Sequence, residues 1–271
     1  MVRGGSPRAD ADSAASPGGG RAIASALDAA ASMGFRGIEL NARDARPSDM
    51  SDTAIRQLRK WLEDRNLRVT SMRFPTRRGY DQSDDLDRRV DATKDAMRLA
   101  TRLDCRYVVN AIGHVAAAGE PARDTLNQVI DDLGRFGTRV GAFLAAETGA
   151  TSASELSEVI RGTETGYVAV ALNPGGMVVH RQNVAEAIEL LGDRVALLMA
   201  TDGVIDIAAG RGLAVPMGRG SVDFAAVLGG LERHEFDGPI TFGHPETIAG
   251  DRAVVPQIAA AAGYLTEVMT G

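Results

Sequence analysis

Cysteine is all but missing from this 271-residue chain, Cys105 being the only one. It has no partner for an internal disulfide, so the fold does not rest on an oxidising compartment. Between Asp104 and an apolar run it reads as a small buried residue, not a nucleophile. Aromatic residues are scarce at 4%, and the one tryptophan, Trp61, falls on a helical apolar stripe as a packing residue. No apolar run approaches the roughly 20 residues that cross a bilayer, and the N-terminus shows no apolar block of a signal peptide. The expectation is a cytoplasmic protein with no membrane partner. Positive charge is not in excess: 30 Lys and Arg against 36 Asp and Glu leave a net charge of −6, which argues against a nucleic-acid partner. Glycine-rich phosphate turns of the GxGxxG or GxxxxGK[ST] kind are absent too, which disfavours an open doubly wound sheet.

What is present is a regular alternation of helix-like and strand-like segments. Residues 1 to 20, rich in Gly, Ser, Pro, Ala and Asp, bury almost nothing and read as a disordered or irregular lead-in, with MVRGG the one place for a short strand. From residue 21 to 271 the pattern is that of one domain. Strands are expected at 36–40, 68–74, 107–112, 141–149, 167–174, 195–202 and 239–246. Between them lie helical stripes such as Ile55, Leu58, Trp61 and Leu62. Seven strands are clear and an eighth could lie in residues 1–5. Without a break in composition, this predicts a single (β/α)8 TIM barrel with a first strand that is short or irregular. The stretch 203–220 is long for a βα connection and carries Gly-Arg-Gly twice, which suits a lid or ligand-facing loop.

In such barrels the C-terminal strand ends carry the chemistry. GAFLAAETG (141–149) places Glu147 there, at the end of a run apolar enough to be buried on both faces. Arg73 belongs to a strand end and, with Arg77 and Arg78, could grip a carboxylate or phosphate. The bland alternative is a solvated loop paired with Asp81, Asp84 and Asp85. Asn110 could point into the cavity as a donor, with His114 on its rim. Glu39 ends another strand, and Arg219 could reach an anionic group or tie its loop down.

Several stretches carry a family resemblance: ASMGFRGIEL (31–40), FPTRRGYDQSDDLDRRVDATKDAM (74–97), LNPGG (172–176), VALLMATD (195–202) and PMGRGSVDFAAVLGGLERHEFDGPITF (216–242). Through them the chain resembles the sugar-phosphate isomerase/epimerase family of xylose-isomerase-like TIM barrels. The resemblance implies a divalent metal held by Glu, Asp, His and Glu at the ends of strands five to eight, polarising a substrate oxygen while carboxylates move protons. On this chain the positions fall on Glu147, Asn173, Met199 and Gly243, so one ligand of four survives. No cofactor is therefore expected. A site for Mn²⁺, Mg²⁺ or Zn²⁺ would have to be rebuilt from Asp202, His244 or Glu246, and strand alternation aims His244 away from the axis unless a bulge intervenes.

Two readings follow. The first is a divergent sugar (phosphate) isomerase or epimerase relative that binds a polyol or sugar-like ligand in the barrel mouth. Glu147 would be its base or a hydrogen-bond acceptor, and Arg73, Asn110, His114, Asn173, Asp202, Arg219 and His244 its binding residues. The second is a catalytically inactive barrel serving as a binding or scaffold module. A homodimer is left open by either.

Overall fold

The computed structural model describes residues 17–45, 50–163, 166–206, 211–242 and 255–270. The expected first strand within residues 1–5 lies outside them, as do Gly243, His244 and Glu246. Seven parallel strands form one sheet in the order β1 (Gly37–Asn41), β2 (Arg68–Arg73), β3 (Tyr107–Asn110), β4 (Phe143–Glu147), β5 (Ala169–Leu172), β6 (Val195–Ala200) and β9 (Ile240–Phe242). The sheet curls until its two ends approach. Phe35, just before β1, and Phe242, at the end of β9, stack at a tilt with ring centroids 5.8 Å apart.

Helices follow the strands in the βα rhythm. They are α1 (Pro17–Ser32), the one-turn α2 (Ala42–Ala45), α3 (Asp52–Glu63), α4 (Leu86–Arg102), α5 (Pro121–Val140), α6 (Ala153–Arg161), α7 (Pro174–Val179), α8 (Val184–Leu191), α9 (Phe224–Glu232) and α10 (Val255–Thr270). Their ends are chemically marked. Ser51 caps α3 by accepting from the Ala54 amide, and Ser152 and Glu155 close a capping box on α6. α1 begins at Pro17, inside the stretch read as an irregular lead-in. Among the described residues no helix is long and apolar enough to cross a membrane.

The sheet separates two cores. Val108, Leu144, Ala146, Val170, Leu172 and Leu198 face the helices and join their apolar stripes. The alternate residues Val109, Ala145, Ala169, Ala171, Leu197 and Met199 form a second cluster inside the barrel. Burial on both faces is why these strands are almost continuously apolar. Cys105, buried at the foot of β3, has its thiol pushed up to about 11 by that burial, which suits a packing role.

Two elements depart from the sequence reading. The stretch expected to be a lid-like loop contains an antiparallel hairpin, β7 (Asp202–Asp206) with β8 (Arg211–Val215). The hairpin lies against α7, and a Cβ at Gly212 would overlap the Val179 backbone. α7 was not anticipated either, although Asn-Pro-Gly-Gly announces it. Asn173 caps it by accepting from the Gly176 amide at 2.9 Å, and Pro174 takes the first helical position.

Candidate functional site

Side chains that reach the axis of a parallel barrel do so in layers drawn from alternate strands. Arg73 on β2, Glu147 on β4 and Met199 on β6 form such a layer at the C-terminal mouth. Nη2 of Arg73 donates to both Glu147 oxygens, at 3.1 Å and 2.9 Å, and Nη1 donates to the Met199 Sδ at 3.7 Å. The arginine reaches past β3, whose inward-facing residue beside Arg73 is Val109. The Glu147 side chain retains 14% of its surface and that of Arg73 32%, so the pair is enclosed but opens to solvent at the mouth.

Asn173, just past β5, ties this pair to the backbone. Its Nδ2 donates to Glu147 Oε1 at 2.7 Å, while its Oδ1 accepts from the Gly176 amide and from Thr201 Oγ1. Thr148, the residue after Glu147, accepts from the Asn173 amide at 2.8 Å. Deeper in the barrel, Glu39 on β1 accepts from Ser71 Oγ at 2.8 Å, the residue opposite it on β2. Burial pushes the Glu39 carboxyl above its ordinary value of 4.5, opposed by the Ser71 hydrogen bond and by Arg73, and reinforced by the charge of Glu147. Glu39, Arg73 and Glu147 therefore feel one another.

The other sequence candidates are placed differently. Asn110 follows inward-facing Val109 and lies on the opposite face. Its amide donates to Tyr80 OH at 2.8 Å and exchanges hydrogen bonds with Thr76, which pins the loop after β2 instead of facing the cavity. Asp202, read as a ligand-binding or metal-rescuing carboxylate, is 3% exposed and accepts from the amides of Gly203, Gly218, Gly220 and Val222 at 2.8–3.1 Å. Those four contacts occupy both oxygens. His114 is exposed. Arg219 is exposed, as is Arg77, while Arg78 pairs with Asp84 at 2.7 Å. The Arg73 to Glu147 pairing was missed by sequence reasoning, which gave no reason to join strands that are not neighbours. Their shared even-numbered place around the barrel was the available signal.

A hard divalent ion asks for several oxygen or imidazole donors with free lone pairs. At the described positions Glu147 is engaged by Arg73 and Asn173, Asn173 turns its NH₂ toward the site, and Met199 offers a soft thioether. That donor set does not fit such an ion.

The fold and this cluster of polar groups at the strand ends define an α/β barrel with polar side chains gathered at its C-terminal mouth. Over residues 27–266 the chain matches the model of the xylose isomerase-like TIM barrel family, and it belongs to that family. Among solved structures it is similar to a xylose isomerase domain protein from Planctomyces limnophilus, at 20% identity over 89% of this chain and 91% of that one, with a TM-score of 0.80. It is also similar to D-psicose 3-epimerase with D-tagatose from Clostridium cellulolyticum H10 (13% identity, 91% and 93% covered, TM-score 0.73). A xylose isomerase-like TIM barrel protein from Mycobacterium smegmatis in complex with magnesium is a third (18%, 94% and 90%, 0.70). No curated protein matches.

Proposed function

We propose that this chain is a divergent sugar isomerase or epimerase-like protein that binds a small polyol or sugar-like ligand at the barrel mouth without a divalent metal. The observation that carries the reading is the contact of Arg73 with both oxygens of Glu147, joined by Asn173 at 2.7 Å. It gathers an acceptor and two kinds of donor at one solvent-open spot, the mixture that hydroxyl and carbonyl groups require. Arg219 and His114, both exposed, are proposed to meet the ligand from the rim. The sugars named with structural relatives, D-tagatose and D-fructose, are suitable first probes.

The engagement of Glu147 by Arg73 also favours the second reading, an inactive binding or scaffold barrel, because a carboxylate held by a guanidinium is a weakened base. Calorimetric titration with ketoses and polyols, alongside an assay for their isomerisation, separates the two. Saturable binding that falls about tenfold in Glu147→Gln supports the site. Turnover lost in the same variant supports the enzyme, binding without turnover supports the inactive barrel, and no binding by any probe overturns the proposed site.

A further inference from the structure

We propose that Arg73 is the resident cation of this site. It fills the place among the strand ends where a divalent ion would sit, and it presents Nη1 as the contact for a carbonyl or ionised hydroxyl oxygen of a ligand. Glu147, Asn173 and Met199 stand at three successive strand-end positions of β4, β5 and β6, and each is bound into one network. Glu147 is held by Nη2 through both oxygens, Met199 by Nη1, and Asn173 through Glu147 Oε1. A single delocalised positive charge thus does what a metal does for the carboxylate, and its planar fork fixes the direction in which its remaining donors point. Of the two terminal nitrogens Nη1 is the less well served. Its partner is a thioether sulfur at 3.7 Å, a weak acceptor, and the arginine side chain keeps 32% of its surface open. An oxygen arriving from the mouth replaces a poor acceptor with a good one, and the gain is largest for an oxygen carrying partial or full negative charge. The open-chain α-hydroxycarbonyl form of a sugar offers such an oxygen.

The ligand half of this inference rests on the proposed function, whereas the resident-cation half does not, so their failures can be told apart. Thermal shift of the intact protein tests the cation. Mn²⁺ and Mg²⁺ at millimolar concentration are expected to leave the wild-type midpoint unchanged. Arg73→Ala is expected to lower it by about 3 °C or more. Millimolar methylguanidinium should restore part of that loss, while the same ionic strength of potassium chloride should not. Should Arg73→Ala fail to fold, nitrogen-15 spectra of the wild-type arginine side chains replace it. One guanidinium protected from exchange, and released in Glu147→Gln, is the expected result. A Glu147-dependent rise in the wild-type midpoint with Mn²⁺, or no methylguanidinium rescue and no protected guanidinium, overturns the cation. For the ligand contact, Met199→Gln places an amide oxygen against Nη1 and is expected to weaken dihydroxyacetone or ketose binding about tenfold. Unchanged affinity overturns that half alone.

Discussion

Two carboxylates sit at the mouth of this barrel, Glu147 on β4 and Asp202 just past β6, and their surroundings are opposite. Asp202 is sealed: among the described residues its carboxylate accepts from the neighbouring Gly203 amide and from the amides of Gly218, Gly220 and Val222 in the turn it anchors. Among the described residues the Glu147 carboxylate is bound by side chains alone, from β2 and from the loop after β5, and it keeps a path to solvent. Backbone amides cannot leave, so they make a carboxylate structural; side chains can exchange partners, so they leave it available. The same contrast explains the segment Pro216 to Asp223. Gly218 adopts φ +78° and Gly220 comes so close to Asp202 that no side chain would fit, which lets their amides converge on one carboxylate. Asp223 then caps α9 by accepting from Ala226. The turn is thereby tied to the residue that follows the end of β6, with Arg219 left exposed at its tip.

The comparison can be broken most directly at Asp202. Asp202→Ala leaves its amides without an acceptor at roughly 1 kcal/mol or more each, so urea unfolding should show a loss of about 3–4 kcal/mol. A loss under about 1 kcal/mol would mean that the turn holds without it. Asn173→Asp is the next largest change. It keeps the α7 cap but sets a second carboxylate oxygen against Glu147, and is expected to cost about 1–2 kcal/mol in urea unfolding at low salt. Glu147→Gln keeps the Asn173 contact and removes the ion pair, for about 1 kcal/mol in the same urea unfolding, with its main effect expected on affinity for the proposed ligand. The smallest effect appears as a slope. Glu39 has a folded value raised above 4.5, so the native state holds that proton when the unfolded chain has lost it. Its contribution is fully present below the unfolded value and fades as pH rises through the folded one. Glu39→Gln should flatten that decline in melts taken from pH 4 upward, and an unchanged profile would place Glu39 in a more hydrated setting than burial suggests.

Much of the fold was legible because the barrel writes itself in alternating residues. The runs ending at Glu147, Leu172 and Ala200 are apolar on both faces, and helices such as α3 and α6 carry caps and stripes. Arg73, Glu147, Asn173 and Met199 could each be placed at a strand end for the same reason. The pairing of Arg73 with Glu147 was not legible, since 73 and 147 lie on strands with β3 between them and only closure brings them together. Asn110 was misjudged at the last residue of its strand, where one step of alternation decides between the cavity and the Tyr80 hydroxyl. The hairpin was hidden because Gly203 and Gly212, which permit close packing on α7, also read as loop residues.

Asn173 has one end committed and one end free to serve. Its Oδ1 is fixed by the first turn of α7 and by Thr201, so only the NH₂ group can face the axis. The amide therefore works as a one-way connector: it gives hydrogen bonds to the mouth and takes none. With Arg73 likewise a pure donor, the side chains of Arg73 and Asn173 polarise this part of the lip toward groups that accept, and the Glu147 carboxylate is the acceptor they share. For the ligand proposed above, selection at this lip would turn on how many of its oxygens can be donated to at once, before any contact with Glu147 is made.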